Sequence, residues 1–214
     1  MIKAVIFDFD GVILESADIK TEAFRELFKD YPEHVDEILD HHSRNAGISR
    51  YVKFRHVYEK ILSLPLSGEE EACLGESFSR IVLQKVLEAP FVTGAKEFLG
   101  SGVKKYAFFI ASGTPEKELK GIVTSRGLNT FFREVHGSPK QKKEIILDVM
   151  GRHGFSREEV VYVGDAESDR IAAEGSGVIF IERRADGDIA EQKEPLVIRD
   201  LTGLGDVLER VLGG

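Results

Sequence analysis

Short continuous apolar runs alternate along this chain with longer stretches whose apolar residues recur every three or four positions. The first run, from Ile2 to Val12, is rich in β-branched and aromatic residues and gives way near its end to Asp8, Asp10 and Gly11. Such a run predicts a buried strand that stops at the glycine. Five more segments predict strands in the same way: Tyr106–Ala111, Glu134–Gly137, Val160–Gly164, Val178–Glu182 and Leu196–Ile198. Helical spacing lies between them, over Thr93–Gly100, Pro115–Ser125, Lys142–His153, Ser168–Gly175 and Leu201–Leu212. Strand and helix in alternation predict an α/β fold, a parallel sheet covered on both faces.

The region from Glu15 to Pro90 breaks that rhythm, with no convincing strand and four stretches of helical spacing. Ala17–Lys29 carries Ala23, Phe24, Leu27 and Phe28, and a second stretch runs from Glu33 to about His42. Arg50–Leu62 sets Tyr51, Phe54, Tyr58, Ile61 and Leu62 on one arc, and a fourth stretch follows Ser67 to Leu87. An all-helical block after the first strand of a parallel sheet predicts an inserted cap. The expected division is a core of residues 1–14 and 91–214 and a four-helix cap of residues 15–90.

Composition narrows the functional classes. A formal charge of −8, from 29 Lys and Arg against 37 Asp and Glu, argues against sequence-independent nucleic-acid binding. An anionic substrate must then be captured by local cations against the overall field. Cys73 is the lone cysteine, which excludes an intrachain disulfide and a multi-thiolate metal site. The apolar start is interrupted by Asp8 too early for a signal peptide, and no stretch approaches the ~18 apolar residues of a membrane span. The expectation is a cytoplasmic protein without nucleic-acid or membrane partners, monomeric or dimeric.

The chemistry gathers at strand ends. Asp8 and Asp10 close the first strand, and two carboxylates there are costly to desolvate unless something positive lies between them. Ser112, Gly113 and Thr114 follow the second strand, just before a helix N-terminus that favours anions. Lys140, Lys142 and Lys143 follow the third, and Gly164-Asp165 ends the fourth with Asp169 one helical turn on. In a doubly wound sheet these ends converge on one crevice. Carboxylates, a hydroxyl and an ammonium, without histidine or cysteine, suit phosphoryl transfer through a carboxylate nucleophile. Oxygen-only ligation favours Mg²⁺ over zinc.

The order Asp8-Phe9-Asp10-Gly11-Val12, Ser112, a lysine, then Gly164-Asp165 and Asp169 resembles the haloacid dehalogenase superfamily. With the helical insertion it is similar to the subgroup that includes phosphoglycolate phosphatases and β-phosphoglucomutases. The resemblance implies a Rossmann-like core, with Asp8 as nucleophile and Mg²⁺ ligand. It implies that Asp10 is the acid and base and binds metal through its carbonyl. Ser112, Gly113 and Lys142 would hold the phosphoryl group, with Lys140 as the rival lysine, and Asp165 and Asp169 would complete the metal site. The presence of Asp10 points to phosphate rather than halide chemistry.

The expected activity is Mg²⁺-dependent hydrolysis of a small phosphorylated metabolite through an aspartyl-phosphate. The alternatives are a sugar phosphomutase, against which Lys20 stands where the mutase pattern has histidine, and phosphonate C–P hydrolysis through Lys53. From His41 to Lys60 five Lys and Arg face one acidic residue, Glu59. Arg50 falls on the arc of Phe54, Val57 and Ile61, where a guanidinium wants an anionic partner. Arg50 and Lys53 are therefore candidates for leaving-group recognition, with an intramolecular salt bridge as the competing role for Arg50. His41 and His42 are expected to be exposed.

Overall fold

The computed structural model describes residues 1–185 and 196–211. Six strands form one sheet, β1 (Ala4–Phe7), β2 (Ala107–Pro115), β3 (Phe132–Ser138), β4 (Val160–Gly164), β5 (Ile179–Arg183) and β6 (Leu196–Ile198). Their order is β3-β2-β1-β4-β5-β6, and every pairing is parallel. Phe7, the last residue of β1, registers with Ile110 on one side and Val163 on the other. The strand order reverses at β1, so its carboxyl end opens onto the crevice where such sheets bind ligands.

Alternation of side chains along β1 divides the interior. Val5 and Phe7 join Phe108, Ile110, Val161 and Val163 on one face, while Ala4 and Ile6 join Phe109, Ile145 and Tyr162 on the other. Both sets are apolar because parallel strands covered by helices have no solvent side. The covering helices are α5 (Ala95–Gly102), α6 (Glu116–Ser125), α7 (Lys142–His153), α8 (Glu167–Ser176) and α9 (Leu204–Val211).

Between β1 and β2 lie four further helices, α1 (Ala17–Leu27), α2 (Val35–Arg44), α3 (Arg50–His56) and α4 (Gly68–Glu88). Phe24, Phe28, Phe54 and Phe78 pack at their centre, with Phe24 and Phe78 rings edge to face at 5.2 Å. The start of α4 is fixed by a reciprocal cap, Glu70 N–H to Ser67 Oγ and Ser67 N–H to Glu70 Oε2.

Several boundaries differ from the pattern-based expectation. The stretch Arg50–Leu62 is an α-helix to His56 and then a π-turn over Val57–Ile61, closed by Leu62 N–H to Val57 O. Leu64 N–H reaches back to Tyr58 O, wrapping the end in a wide turn at Ser63, whose φ is +54°. Strand β2 runs on past Ala111 to Pro115, with an irregularity in its register against β3 between Ala111 and Pro115, where Ser112, Gly113 and Thr114 lie. The last helix begins at Leu204, and the expected end at Leu212 lies outside the described residues. His42 is buried rather than exposed, its ring 4.1 Å from that of Phe24, because it faces inward from α2.

Candidate active site

Asp8 is the first residue beyond β1, held by its N–H bond to Val163 O, and is 2% exposed. One carboxylate oxygen accepts from Phe9 N–H at 2.7 Å and the other from Lys142 Nζ at 2.9 Å. Lys142 opens α7 and also donates to Asp169 Oδ1 at 2.6 Å. Asp169, fully buried on the first turn of α8, further accepts from Tyr162 Oη and from Ala166 N–H. Lys140 pairs instead with Asp148 at the surface. Of the two lysines left open by spacing, the geometry brings Lys142 to Asp8.

Asp165 stands at the end of β4 beside Gly11, whose φ is +77°. A side chain on Gly11 would collide with the Asp165 carboxylate, so glycine there both makes the turn and admits the carboxylate. Ligand atoms of Asp8, Asp165 and Asp169 lie within 4.8 Å of one another. Burial pushes the Asp8 carboxyl well above the usual range, offset by Lys142 and reinforced by Asp169 and Asp10. Burial raises Asp165 as well, with Asp8 and Asp169 adding to it. Lys142 is pulled up by Asp169 and Asp8 against the effect of burial.

One ammonium therefore faces three carboxylates. Three oxygen donors around one point, two of them resisting ionisation, fit a hard divalent cation of the Mg²⁺ type. Asp10 stands apart from that trio. Its carboxylate accepts from Ser16 Oγ at 2.7 Å, from Thr114 Oγ1 at 3.0 Å and from Lys20 Nζ. Burial would raise the Asp10 carboxyl, but the Lys20 charge and these hydrogen bonds outweigh it and hold the group below its ordinary value.

Ser112 is buried at the floor, with Thr114 N–H donating to its Oγ at 3.2 Å. The turn between α2 and α3 sits directly above. A side chain on Gly113 would strike the Gly47 carbonyl, and one on Gly47 would strike Lys142 Nζ and Ser168 Oγ. Ser168 Oγ also donates to Ala46 O at 2.8 Å, tying this turn to α8. A cavity of about 210 Å³ runs from Asp8, Asp10, Ser112 and Asp165 to His42, Arg50 and Lys53.

Arg50 and Lys53 part company here. Arg50 is buried and reaches down to α6, where its guanidinium takes Glu118 Oε1 at 2.7 Å and Oε2 at 3.1 Å. Ser79 of α4 completes this clasp, accepting from Arg50 at 2.8 Å and donating to Glu118 at 2.6 Å. Lys53 Nζ lies 3.0 Å from His42 O and 3.1 Å from His42 Nδ1.

Sequence reasoning did not foresee Lys20 or Thr114 beside Asp10, Tyr162 beneath Asp169, or Glu118 beneath Arg50. Lys20 drew notice only for standing where the mutase pattern has histidine, Glu118 looks like an ordinary helix-surface charge, and Tyr162 like a strand aromatic. Thr114, on the same short segment as Ser112, carried a local hint.

Residues 5–182 match the family described as haloacid dehalogenase-like hydrolase. A phosphorylated carbohydrates phosphatase of Thermotoga maritima is 28% identical over 181 residues, 82% of each chain. Phosphoglycolate phosphatase 1 of Pseudomonas aeruginosa is 26% identical over 94% of this chain and 78% of its own. The fold superposes on a hydrolase from Pseudomonas syringae with a TM-score of 0.78 at 18% identity, over 97% of this chain and 98% of that one. Among the described residues no helix is long and apolar enough to cross a membrane. With the match running from β1 into β5 and taking in Asp8, Asp10, Ser112, Lys142, Asp165 and Asp169, this chain belongs to the haloacid dehalogenase-like hydrolase family.

Proposed function

We propose that this protein is a phosphatase of small phosphorylated metabolites that works through an aspartyl-phosphate on Asp8. The observation that carries this reading is the buried Asp8 carboxylate, bonded to Lys142 and facing a cavity that also holds Asp10 and Ser112. In the first step a carboxylate oxygen of Asp8 attacks phosphorus and the ester P–O bond breaks. Asp10, having taken up a proton, returns it to the leaving oxygen. Ser112 Oγ, the Gly113 backbone and Lys142 Nζ hold the remaining phosphoryl oxygens. In the second step Asp10 removes a proton from water, water oxygen attacks phosphorus, and the acyl-phosphate bond breaks. Inorganic phosphate leaves and Asp8 is a carboxylate again. Held ionised by Lys20, Asp10 rests in the form the second step needs.

Mg²⁺ held by Asp8, Asp165, Asp169 and the Asp10 carbonyl would supply charge neutralisation for the phosphoryl oxygens. The helices of residues 15–90 act as a cap over the cavity, placing the chemistry beneath Gly47 and Ile48 and limiting access of bulk water. Substrate size follows, since a folded protein or a duplex does not enter about 210 Å³. The test is acid quench during turnover of acetyl phosphate with Mg²⁺, followed by borohydride reduction and peptide mass analysis. Reduction of Asp8 to homoserine is the expected result. Label on any other carboxylate, or steady turnover by Asp8→Asn, defeats the reading.

A further inference from the structure

Three cations line the cavity, and two of them are neutralised within the protein. Lys20 pairs with Asp10, and Arg50 is clasped by Glu118. Lys53 differs. It is 3% exposed, and its partners are the carbonyl and ring of His42, with the Phe24 ring 5.5 Å away. No carboxylate pairs with it among the described residues. A buried ammonium without an anion is costly, and an anionic ligand relieves that cost.

Its placement decides which ligand. Asp10, the group that must reach the leaving oxygen, lines this cavity, as do Lys53 and the apolar rings of Phe24 and Phe78. A second cavity of about 430 Å³, beyond the Gly47–Ser49 turn, touches Ser112 and Lys142 but neither Asp10 nor Lys53. The leaving group therefore extends toward Lys53. We infer that the substrate is a short phosphomonoester carrying a second anion on its leaving group, and that Lys53 binds that anion. This rests on the phosphatase reading above. Carboxylate and phosphate share the required chemistry, and Lys53 offers either of them a hydrogen-bonded cation within a largely dry wall. The proximity of Lys20 and Lys142, which with burial pulls Lys53 down to about 7, adds to the attraction for an anion.

The experiment compares alkyl phosphates with ω-carboxyalkyl phosphates and α,ω-alkane bisphosphates of two to five carbons, with Mg²⁺ present. The expected kcat/KM of at least one anionic series exceeds the alkyl series of equal length by about tenfold to a hundredfold. In Lys53→Met that ratio falls to about one, whereas Lys53→Arg, which keeps the charge, retains most of it. The better series identifies carboxylate or phosphate as the second anion. An equal ratio in wild type and Lys53→Met, or no preference in wild type, overturns the inference. Calorimetric binding of the same compounds to Asp8→Asn and to Asp8→Asn/Lys53→Met reads the ratio without turnover. If wild type hydrolyses none of them, nor p-nitrophenyl phosphate, the phosphatase reading fails. The binding ratio then supports or rejects the Lys53 subsite by itself.

Discussion

The floor and the roof of the cavity each bury a lysine, in opposite electrostatic settings. Lys142 on the floor bridges Asp8 and Asp169 and is held charged more firmly than a free lysine. Lys53 in the roof meets a neutral imidazole and a carbonyl, and burial with the nearby Lys20 and Lys142 makes it a weaker base than usual. The floor is thus built around its own charges and is short of cation, while the roof is short of anion. Phosphoryl chemistry needs the former in every substrate, and recognition needs the latter in a particular one.

On the proposed mechanism Asp8→Asn should lower kcat for acetyl phosphate by about 10⁴-fold or more, since Asp8 is there the attacking group. Its Tm should stay near that of wild type, because a repelled buried carboxylate becomes a neutral amide while Lys142 keeps Asp169. A modest loss of activity would show that the charges of the floor are structural and not chemical.

Lys142→Met asks what the floor is worth to the fold. It leaves Asp8 and Asp169 buried without their shared partner, and removing one side of such a pair costs about 3–5 kcal/mol. Urea unfolding without divalent cations measures that loss. A cost below about 1 kcal/mol would mean that other groups neutralise the two carboxylates.

The unsatisfied part of the floor gives the next largest effect. Mg²⁺ at a hundred times its Kd should stabilise wild type by about 2.7 kcal/mol, read as a rise in Tm, and EDTA should abolish turnover. Asp165→Asn should lose most of that rise while Lys53→Met keeps it. Equal responses of the two variants would erase the distinction between floor and roof.

How visible each region was in the sequence follows the same division. The sheet was legible because β1, β4 and the first half of β2 are continuous apolar runs, buried on both faces with no competing periodicity. Asp8, Asp10 and Asp165 were legible because a carboxylate at the end of such a run is too costly to desolvate without a cation to neutralise it. Choosing between Lys140 and Lys142 needed coordinates, since the turn before α7 decides which ammonium points inward. In the roof, spacing alone put Arg50 on an apolar arc but could not reveal that Glu118, 68 positions away, was its anion. Lys53 was a candidate from the basic run around it, but what marks it is that no carboxylate pairs with it among the described residues, and sequence records no such thing.

The smallest expected effect tests the roof alone. Below about pH 7 Lys53 is charged both folded and unfolded, so the native state bears the whole cost of burying it. Between about 7 and the ordinary lysine value near 10.5 the native state sheds the proton that the unfolded chain keeps, and stability rises with pH through that window. Lys53→Met has no such cost. Its advantage over wild type should be roughly 1–3 kcal/mol at pH 6 and shrink steadily toward pH 10. The neighbours do not mimic this trend. Burial holds His42 down to about 3, so it stays neutral throughout, and Lys142 is held charged. A difference independent of pH would mean that Lys53 already has its counter-charge in the free protein. The roof would then be as self-contained as the floor, and recognition of a second anion would have to be sought elsewhere in the cavity.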